Sequence, residues 1–254
     1  MARNFQTPGI ILKNNRFGEI HKGVVFLSPE QGLVDAVAYG AFSPKGKLRS
    51  VTNPLCTGIL FLYRDPVKDT RKITDMDCRE FFEGIRASVA KFFTASVWLE
   101  TVLRTFGGDA RETYDLLLRC LRLLDGGTEE EAPRLLALFL WRHLEGSGTA
   151  PDLRDCGRCG RTRKDRDVFH YLRGNPGFLC SECAHSSGAL ESSVPLSPGA
   201  LAFLGHASSR ELETAARVGL DAGSLEGLKR AMLWLAEDLA GRPLASIRAG
   251  EGIL

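Results

Sequence analysis

Four cysteines arranged in two pairs are the residues of this sequence best suited to chemistry. Cys156 and Cys159 form one Cys-x-x-Cys pair, and Cys180 and Cys183 form a second pair after 20 intervening residues. Each Cys-x-x-Cys turn brings two sulfur atoms to one side of the backbone, so two turns complete the tetrahedron that Zn²⁺ prefers, with Zn–S distances of about 2.3 Å. We therefore predict one zinc ion per chain. It would be structural rather than catalytic, because four thiolates leave no open position for a substrate.

Two other interpretations of this stretch remain. A thioredoxin-like redox motif has a single Cys-x-x-Cys at the start of a helix, whereas this chain has two pairs flanked by glycines. His170 or His185 could replace one thiolate. The three other cysteines, Cys56, Cys78 and Cys120, stand singly in apolar or helical surroundings, which predicts small buried side chains rather than metal ligands.

Positive charge is concentrated at the N-terminal end of the chain. The 254 residues have a net charge of +2, but residues 1–72 contain 11 Lys and Arg against 5 Asp and Glu. The remaining residues contain 22 against 26. A basic end on a nearly neutral protein indicates an anionic partner for that end.

Basic residues interleaved with aromatic ones are typical of surfaces that bind nucleic acid. Charge runs are also often plain solvated surface, so the individual residues are candidates for DNA contact. In the N-terminal segment the candidates are Lys13, Arg16, Lys22, Lys45, Lys47, Arg49, Arg71 and Lys72. Between the cysteine pairs they are Arg161, Arg163, Lys164 and Arg166. The candidates for stacking on bases are Phe17, Tyr39 and Phe42.

The sequence does not predict an enzyme. The stretch from Gly40 to Leu48 is superficially similar to a phosphate-binding loop, but it has five residues between Gly40 and Gly46 instead of four. Leu48 also stands where Ser or Thr would bind Mg²⁺. The five histidines are scattered, and no acidic cluster suits two-metal chemistry. We expect no covalent catalysis.

We expect the protein to act in the cytoplasm, where binding to DNA would associate it with the nucleoid. The N-terminal residues lack the apolar core of a secretory signal. No apolar run approaches the roughly 20 residues that cross a bilayer, so no membrane partner is expected. Thiols stay reduced in the cytoplasm, which argues against a disulfide framework.

The pattern of the first 76 residues predicts five short strands separated by turns. The candidate strands cover residues 9–14, 19–28, 33–40, 54–63 and 70–74. Five strands with hardly any helix between them predict a small barrel, most economically the oligonucleotide-binding (OB) fold. A small SH3-like barrel is the alternative.

Helical periodicity replaces the strand pattern after residue 76. Apolar residues keep helical spacing over 77–105, and two more helices are predicted over 110–124 and 130–145. Downstream of the cysteines, Ser197 followed by Pro198 suits a helix start, and Ser208 with Glu211 has the spacing of a capping box.

The predicted fold class is therefore α+β, with an N-terminal OB-fold barrel and a helical bundle that contains a four-cysteine zinc finger. The corresponding divisions are an OB domain (1–76), a first helical part (77–149), a zinc module (150–186) and a second helical part (187–254).

Several stretches of the chain resemble the bacterial recombination mediator family RecO. The stretch from Gly9 to Arg64 is similar to the opening of that family. "FFTASVWLETV" and "YDLLLRCLRLLDG" resemble its helical core. "CGRCG" and "GFLCSEC" resemble its cysteine module, and "LAGRPLASI" its C-terminal end. One departure is "VVFLSPEQG", where the family usually has charged residues and a threonine before the glycine turn.

The resemblance implies a role as a DNA repair and recombination mediator of the RecFOR pathway. It implies binding of single- and double-stranded DNA, annealing of complementary strands, and help in loading RecA together with RecR on DNA coated by the single-strand-binding protein SSB. The competing hypothesis from the residues alone is a zinc-ribbon adaptor that binds proteins and has no direct role on DNA.

Overall fold

The N-terminal third of the chain forms a five-stranded barrel. The computed structural model describes residues 3–68 and 70–254. The barrel strands are β1 (Asn4–Phe17), β2 (His21–Ser28), β3 (Gly32–Ala38), β4 (Thr57–Arg64) and β5 (Arg71–Glu80). They close in the order β1-β2-β3-β5-β4, and the β3–β5 contact is a short parallel one at Val37 and Lys72. A small barrel of five strands is the OB architecture, so that prediction is confirmed.

Strand β1 takes part in two pairings because it is long and bends. Its first half pairs with β4 and its second half with β2, and the register shifts between Ile11 and Lys13. Such a bulge increases local bending and twist. At the start of β4, a Cβ on Gly58 would lie 2.0 Å from the carbonyl oxygen of Asp77. Glycine at this position therefore lets β5 approach β4 closely.

The connection between β3 and β4, residues 39–56, is a series of tight turns, and we call it the basic loop. Ser43 N–H donates to Gly40 O at 3.0 Å, Gly46 N–H to Ser43 O at 2.9 Å, and Arg49 N–H to Gly46 O at 3.0 Å. Leu48 lies in the core of the barrel. The loop is thus packed against the barrel.

The rest of the chain is mainly helical. The helices are α1 (Glu83–Arg86), α2 (Val89–Thr105), α3 (Ala110–Gly126), α4 (Ala132–Gly146), α5 (Ser181–Ser186), α6 (Pro198–Ser209), α7 (Leu212–Ala215), α8 (Ala222–Ala240) and α9 (Ala245–Ala249). Helix α4 contacts α2, α3, α6 and α8, and its Phe139 and Trp141 are buried. The helices predicted over 110–124 and 130–145 correspond to α3 and α4. None of the helices in the described ranges is long and apolar enough to cross a membrane.

The helix predicted over 77–105 is not continuous before Val89, where the end of strand β5 and the separate short helix α1 (Glu83–Arg86) stand instead. Strand β5 continues to Glu80, because Met76 and Cys78 turn inward and pair with β4. Helix α2 begins only at Val89, where the Ser88 side chain accepts a hydrogen bond from Lys91 N–H. The division drawn after residue 76 falls inside β5, and we propose to move it beyond Glu80.

Two helix-start signals were predicted in the C-terminal part of the chain, and the structure confirms one of them. Ser197 caps α6 by accepting from Ala200 N–H, as predicted. The capping box of Ser208 and Glu211 is wrong. Ser208 lies within α6, and its hydroxyl donates to Leu204 O and accepts from Trp141 Nε1–H at 2.9 Å. The Ser208 side chain therefore bonds to Trp141 of α4 instead of capping a helix.

The cysteine module contains very little regular structure. Strands β6 (Phe169–Tyr171), β7 (Leu179–Cys180) and β8 (Val194–Leu196) form a small sheet in the order β7-β6-β8. The Tyr171 hydroxyl donates to Asp238 of α8 at 2.6 Å, and Gly174 N–H donates to the same carboxylate at 2.8 Å. These bonds attach the module to the helical bundle.

The barrel rests on helices α2 and α3. Gly32, the first residue of β3, has φ +69°, and a Cβ there would lie 2.9 Å from the Phe106 ring. Arg122 of α3 forms a bidentate pair with Glu80 at 2.7 and 2.9 Å. The contact is therefore both apolar and polar, and it fixes how the barrel meets the first helices.

Candidate cysteine cluster and nucleic-acid interface

The four paired cysteines converge on one point. The sulfur atoms of Cys156, Cys159, Cys180 and Cys183 all lie within 4.8 Å of one another, and those of Cys159 and Cys180 are 3.9 Å apart. Four sulfurs placed about 2.3 Å from a tetrahedral centre are separated by about 3.8 Å. The cluster therefore has the size that a Zn²⁺ ion requires, and these four residues could hold a metal ion.

Tight turns on both sides give the cluster its shape. Gly160 has φ +70° and donates its N–H to Cys156 O at 2.9 Å. A Cβ on Gly157 would lie 3.1 Å from the Cα of Gly177. The two halves of the module thus approach closely at Gly157 and Gly177, where neither residue has a side chain.

Backbone N–H groups favour a thiolate at Cys156. Burial opposes ionisation of this side chain, but N–H groups of Cys159, Cys180 and Arg158 outweigh it and lower the pKa of Cys156 to about 6. Cys180 N–H approaches the Cys156 sulfur at 3.3 Å. Hydrogen bonds to the charged form are a standard cause of a lowered pKa, and a thiolate is the form that binds metal.

The alternative ligands lie outside the cluster. His170 is buried, with Nδ1 3.1 Å from Ser193 Oγ and Nε2 3.2 Å from Ser181 Oγ. Cys120 is fully buried, and burial raises the pKa of its thiol. Cys56 and Cys78 belong to the barrel, where burial also raises both thiol pKa values. The three single cysteines are thus uncharged, partly or wholly buried side chains.

Strand ends adjoin one another in a row across neighbouring barrel strands, which we call the barrel rim. There Phe17 of β1 faces His21 of β2, Val37 of β3 faces Lys72 of β5, and Tyr63 of β4 also faces Lys72. Because β1, β3 and β4 end where β2 and β5 begin, side chains distant in the sequence share one surface.

The three predicted stacking residues are exposed at or beside this rim. Phe17 is 49% exposed, Tyr39 48% and Phe42 41%. The Tyr39 and His21 rings meet edge to face, with centroids 4.7 Å apart. Phe42 N–H donates to Ile20 O at 2.9 Å, which brings the start of the basic loop against the β1–β2 turn. The three aromatic residues thus belong to neighbouring segments.

Lys72 connects two tyrosines of the rim. Its ammonium lies 5.6 Å from the Tyr39 ring centroid and 5.5 Å from that of Tyr63, and 3.9 Å from an Asp65 carboxylate oxygen. A cation within about 6 Å of a ring is attracted to its face. The rim therefore presents a row of aromatic and cationic groups.

Most of the other predicted DNA-binding residues of the barrel reach solvent. Lys13, Arg16, Lys45, Lys47 and Arg49 are exposed, and Arg71 and Lys72 are half-buried. Lys47 pairs with Asp75 at 2.9 Å, but both side chains are more than half exposed, so this pair contributes little. Lys45, Lys47 and Arg49 do not belong to a strand. They are carried by successive turns, with Leu48 directed inward.

Lys22 differs from the other candidates. The residue is 2% exposed, and its ammonium donates to Arg49 O and to Asn53 Oδ1, both at 2.7 Å. Alternation along β2 places Lys22 inward, and this placement argues against a direct phosphate contact.

The cations of the cysteine module divide into two groups. Arg161 pairs with Asp167 at 2.9 Å and with Glu182 at 3.4 Å, and Arg163 Nε donates to Leu153 O at 3.1 Å. The other two predicted contacts, Lys164 and Arg166, are exposed. Arg161 and Arg163 thus bond within the module, whereas Lys164 and Arg166 face solvent.

Three residues of the barrel rim were not identified from the sequence. His21, Ile20 and Tyr63 lie there although they are isolated in the sequence. The available signal was weak: His21 and Ile20 border the turn after Phe17, and Tyr63 ends an apolar strand. Only the pairing of strand ends brings them together.

Comparisons with known proteins agree on one family. The family described as Recombination protein O N terminal matches residues 1–82, and Recombination protein O C terminal matches residues 87–248. A DNA repair protein RecO of Rubrobacter xylanophilus is 30% identical over 230 residues, which cover 90% of this chain and 87% of that protein. The RecO protein of Acetivibrio thermocellus is 30% identical over 189 residues, 73% of each chain. That of Bacillus pumilus is 27% identical over 203 residues, 78% of this chain and 75% of the relative.

Proposed function

The chain belongs to the RecO family and acts in DNA repair and recombination, and we propose that it does so by binding single- and double-stranded DNA and annealing complementary strands. The barrel rim and the basic loop would hold one strand. Their cations would neutralise phosphates, and Phe17, Tyr39 and Phe42 would stack on bases so that the pairing edges stay exposed. No step of this function requires a covalent reaction.

The observation that carries this proposal is the concentration of cationic and aromatic groups along the barrel rim and the basic loop. Stacking on aromatic side chains is worth about 1–3 kcal/mol per base, and it tolerates any sequence because every base has a π face. Phosphate contacts are likewise independent of sequence. A surface built from both therefore fits a protein that must handle arbitrary strands.

The wider role and the partners are part of the proposal. We propose that the protein cooperates with RecR, acts on DNA coated by SSB, and helps to load RecA, in the cytoplasm at the nucleoid. A zinc ion held by Cys156, Cys159, Cys180 and Cys183 would keep the module folded. Lys164 and Arg166 of that module would add phosphate contacts. Membership of a DNA repair family does not favour the protein-binding adaptor as an alternative.

A salt titration tests the DNA contacts. Fluorescence anisotropy with a labelled single-stranded oligonucleotide would compare the wild-type chain with the variant Lys45→Glu/Lys47→Glu/Arg49→Glu. If about five phosphates are neutralised, log affinity falls with log salt at a slope of about −3.5 for a single strand. The triple variant should bind at least about tenfold more weakly at low salt, with a slope reduced by about 2.

A matched charge reversal on the helices is the control. Arg111, Arg217 and Arg242 are exposed and lie outside the barrel. Their replacement by Glu should leave the slope unchanged. Equal affinity of the barrel variant and the wild type would refute the proposal, and so would a wild-type affinity that does not depend on salt.

A further inference from the structure

Lys22 is a buried cation in the β1–β2 hairpin. Its ammonium makes two short hydrogen bonds to the basic loop, to the Arg49 carbonyl and to the Asn53 side chain, both at 2.7 Å. It also lies 5.2 Å from the centre of the Phe42 ring. Three of its contacts thus belong to residues of one loop.

The surroundings of Lys22 offer it no carboxylate partner among residues 3–68 and 70–254. Desolvation by burial is the main reason why the pKa of Lys22 is lowered, and the charged and titratable groups that act on it are the Cys56 thiol and the Arg49 guanidinium. Burying an ammonium group is costly unless hydrogen bonds satisfy it. Its bonds to the loop therefore have to compensate for its removal from water.

The hairpin holds the basic loop at both of its ends. At the start of the loop, Phe42 N–H donates to Ile20 O at 2.9 Å. Near its end, the Asn14 side chain donates to Thr52 O and to Asn53 Oδ1, both at 3.1 Å. Lys22 lies between these attachments and contacts residues near both of them.

We propose that Lys22 is a positioning residue for DNA binding. It holds the basic loop in the conformation that exposes Lys45, Lys47 and Arg49, and it does not itself contact DNA. This inference rests on the proposed DNA-binding function. A loop that is already ordered loses less conformational entropy when it meets phosphates, so Lys22 contributes to affinity through pre-organisation.

The neutral partner Asn53 gives the sharpest test. Asn53→Ala removes an acceptor of Lys22 without changing the charge of the protein. We expect Lys22→Met and Asn53→Ala each to weaken single-strand binding by about tenfold. The loss in the double variant should be smaller than the sum of the two single losses, because both substitutions remove the Lys22–Asn53 hydrogen bond. Amide hydrogen exchange should become faster at residues 43–53 in all three.

Lys22→Arg separates positioning from phosphate contact. A guanidinium can bind phosphate, but it is larger and planar and does not reproduce the two short bonds of the buried ammonium, so we expect this variant to lose affinity as Lys22→Met does. The slope of log affinity against log salt should stay the same for Lys22→Met. Lys45→Met is the matched control: it should lower the slope by about 0.7 and leave hydrogen exchange unchanged.

Three results would overturn the inference: wild-type affinity of Asn53→Ala, wild-type affinity of Lys22→Arg while Lys22→Met is impaired, or unchanged exchange at residues 43–53. If Lys22→Met does not fold, Asn53→Ala alone decides between the outcomes. A wild-type chain that binds no DNA would contradict the proposed function instead, and the exchange measurement would still test whether Lys22 orders the loop.

Discussion

His143 shows how a single buried residue can make the stability of this protein depend on pH. It is 5% exposed, its Nε2 lies 2.7 Å from Thr105 Oγ1, and its ring stacks on Phe139 with centroids 5.8 Å apart. Burial disfavours the charged imidazolium and lowers the pKa of His143 to about 4 from an ordinary 6.5. Between these two values the unfolded chain binds a proton that the folded chain does not.

The sign of the effect follows from this difference. Because the folded pKa is lowered, the folded state loses stability as the pH falls below about 6.5, by roughly 2 kcal/mol at pH 5. His143→Gln removes the titrating group but keeps a side chain that can bond Thr105. We expect urea unfolding to show that the wild type loses about 2 kcal/mol more than this variant between pH 7 and pH 5. An equal loss in both proteins would contradict the assignment.

The paired cysteines and the basic residues of the barrel differ in how far the sequence could predict their roles. The cysteines were identifiable because metal coordination imposes a fixed spacing, and the structure brings all four sulfurs together. The sequence did not distinguish Lys22 from the surface lysines, because the charge of a residue does not indicate whether its side chain is buried. Its inward direction depends on the register of β2 against β1 and β3, and a residue type does not encode that register.

The cysteine module is the element that most needs outside support. Its strands have two or three residues and its helix α5 has six. Elements this short cannot stabilise themselves in water. Four ligands on one ion would connect the two halves of the module. Structural zinc contributes on the order of 10 kcal/mol of apparent binding energy to small modules of this type.

We expect purified protein to contain one equivalent of zinc. Cys159→Ser should lose most of this metal, because three thiolates no longer close the tetrahedron, and hydrogen exchange should accelerate over residues 156–183. Elemental analysis with exchange mass spectrometry measures both. Cys78→Ser is the control: this partly buried thiol belongs to the barrel, so the variant should retain its zinc. Metal-free wild-type protein would show that the module does not depend on zinc, and a full equivalent in Cys159→Ser would show that Cys159 is not a required ligand.

At the level of elements, the sequence pattern predicted a helix boundary correctly where contacts between neighbouring residues determine that boundary. Ser197 and Pro198 start α6 as expected, and glycines end α3 and α4. The pattern failed where pairing with a distant segment determines the secondary structure. Residues 77–80 have helical spacing but extend β5, because β4 offers them a ladder of backbone hydrogen bonds. The tyrosines and lysines of the barrel rim meet for the same reason.

At the scale of the whole molecule, charge is distributed as a gradient along the chain. Residues 1–72 have an excess of six positive charges, and the remainder has an excess of four negative ones. An anionic strand is therefore attracted to the barrel and repelled by much of the rest. Such a field acts over roughly a Debye length, about 10 Å at 0.1 M salt, before any contact forms. The gradient should thus influence how fast DNA arrives and how it is oriented.

Association kinetics test this steering separately from affinity. In stopped-flow measurements with a fluorescent single-stranded oligonucleotide, the association rate constant should fall several-fold between about 50 and 200 mM salt. Lys45→Gln/Lys47→Gln should lower it several-fold at 50 mM salt, because two charges leave the attracting surface, and the difference should disappear at high salt. Arg111→Gln/Arg217→Gln removes the same charge from the helical part and should leave the rate nearly unchanged. If both pairs slow association equally, net charge governs the encounter rather than its placement on the barrel.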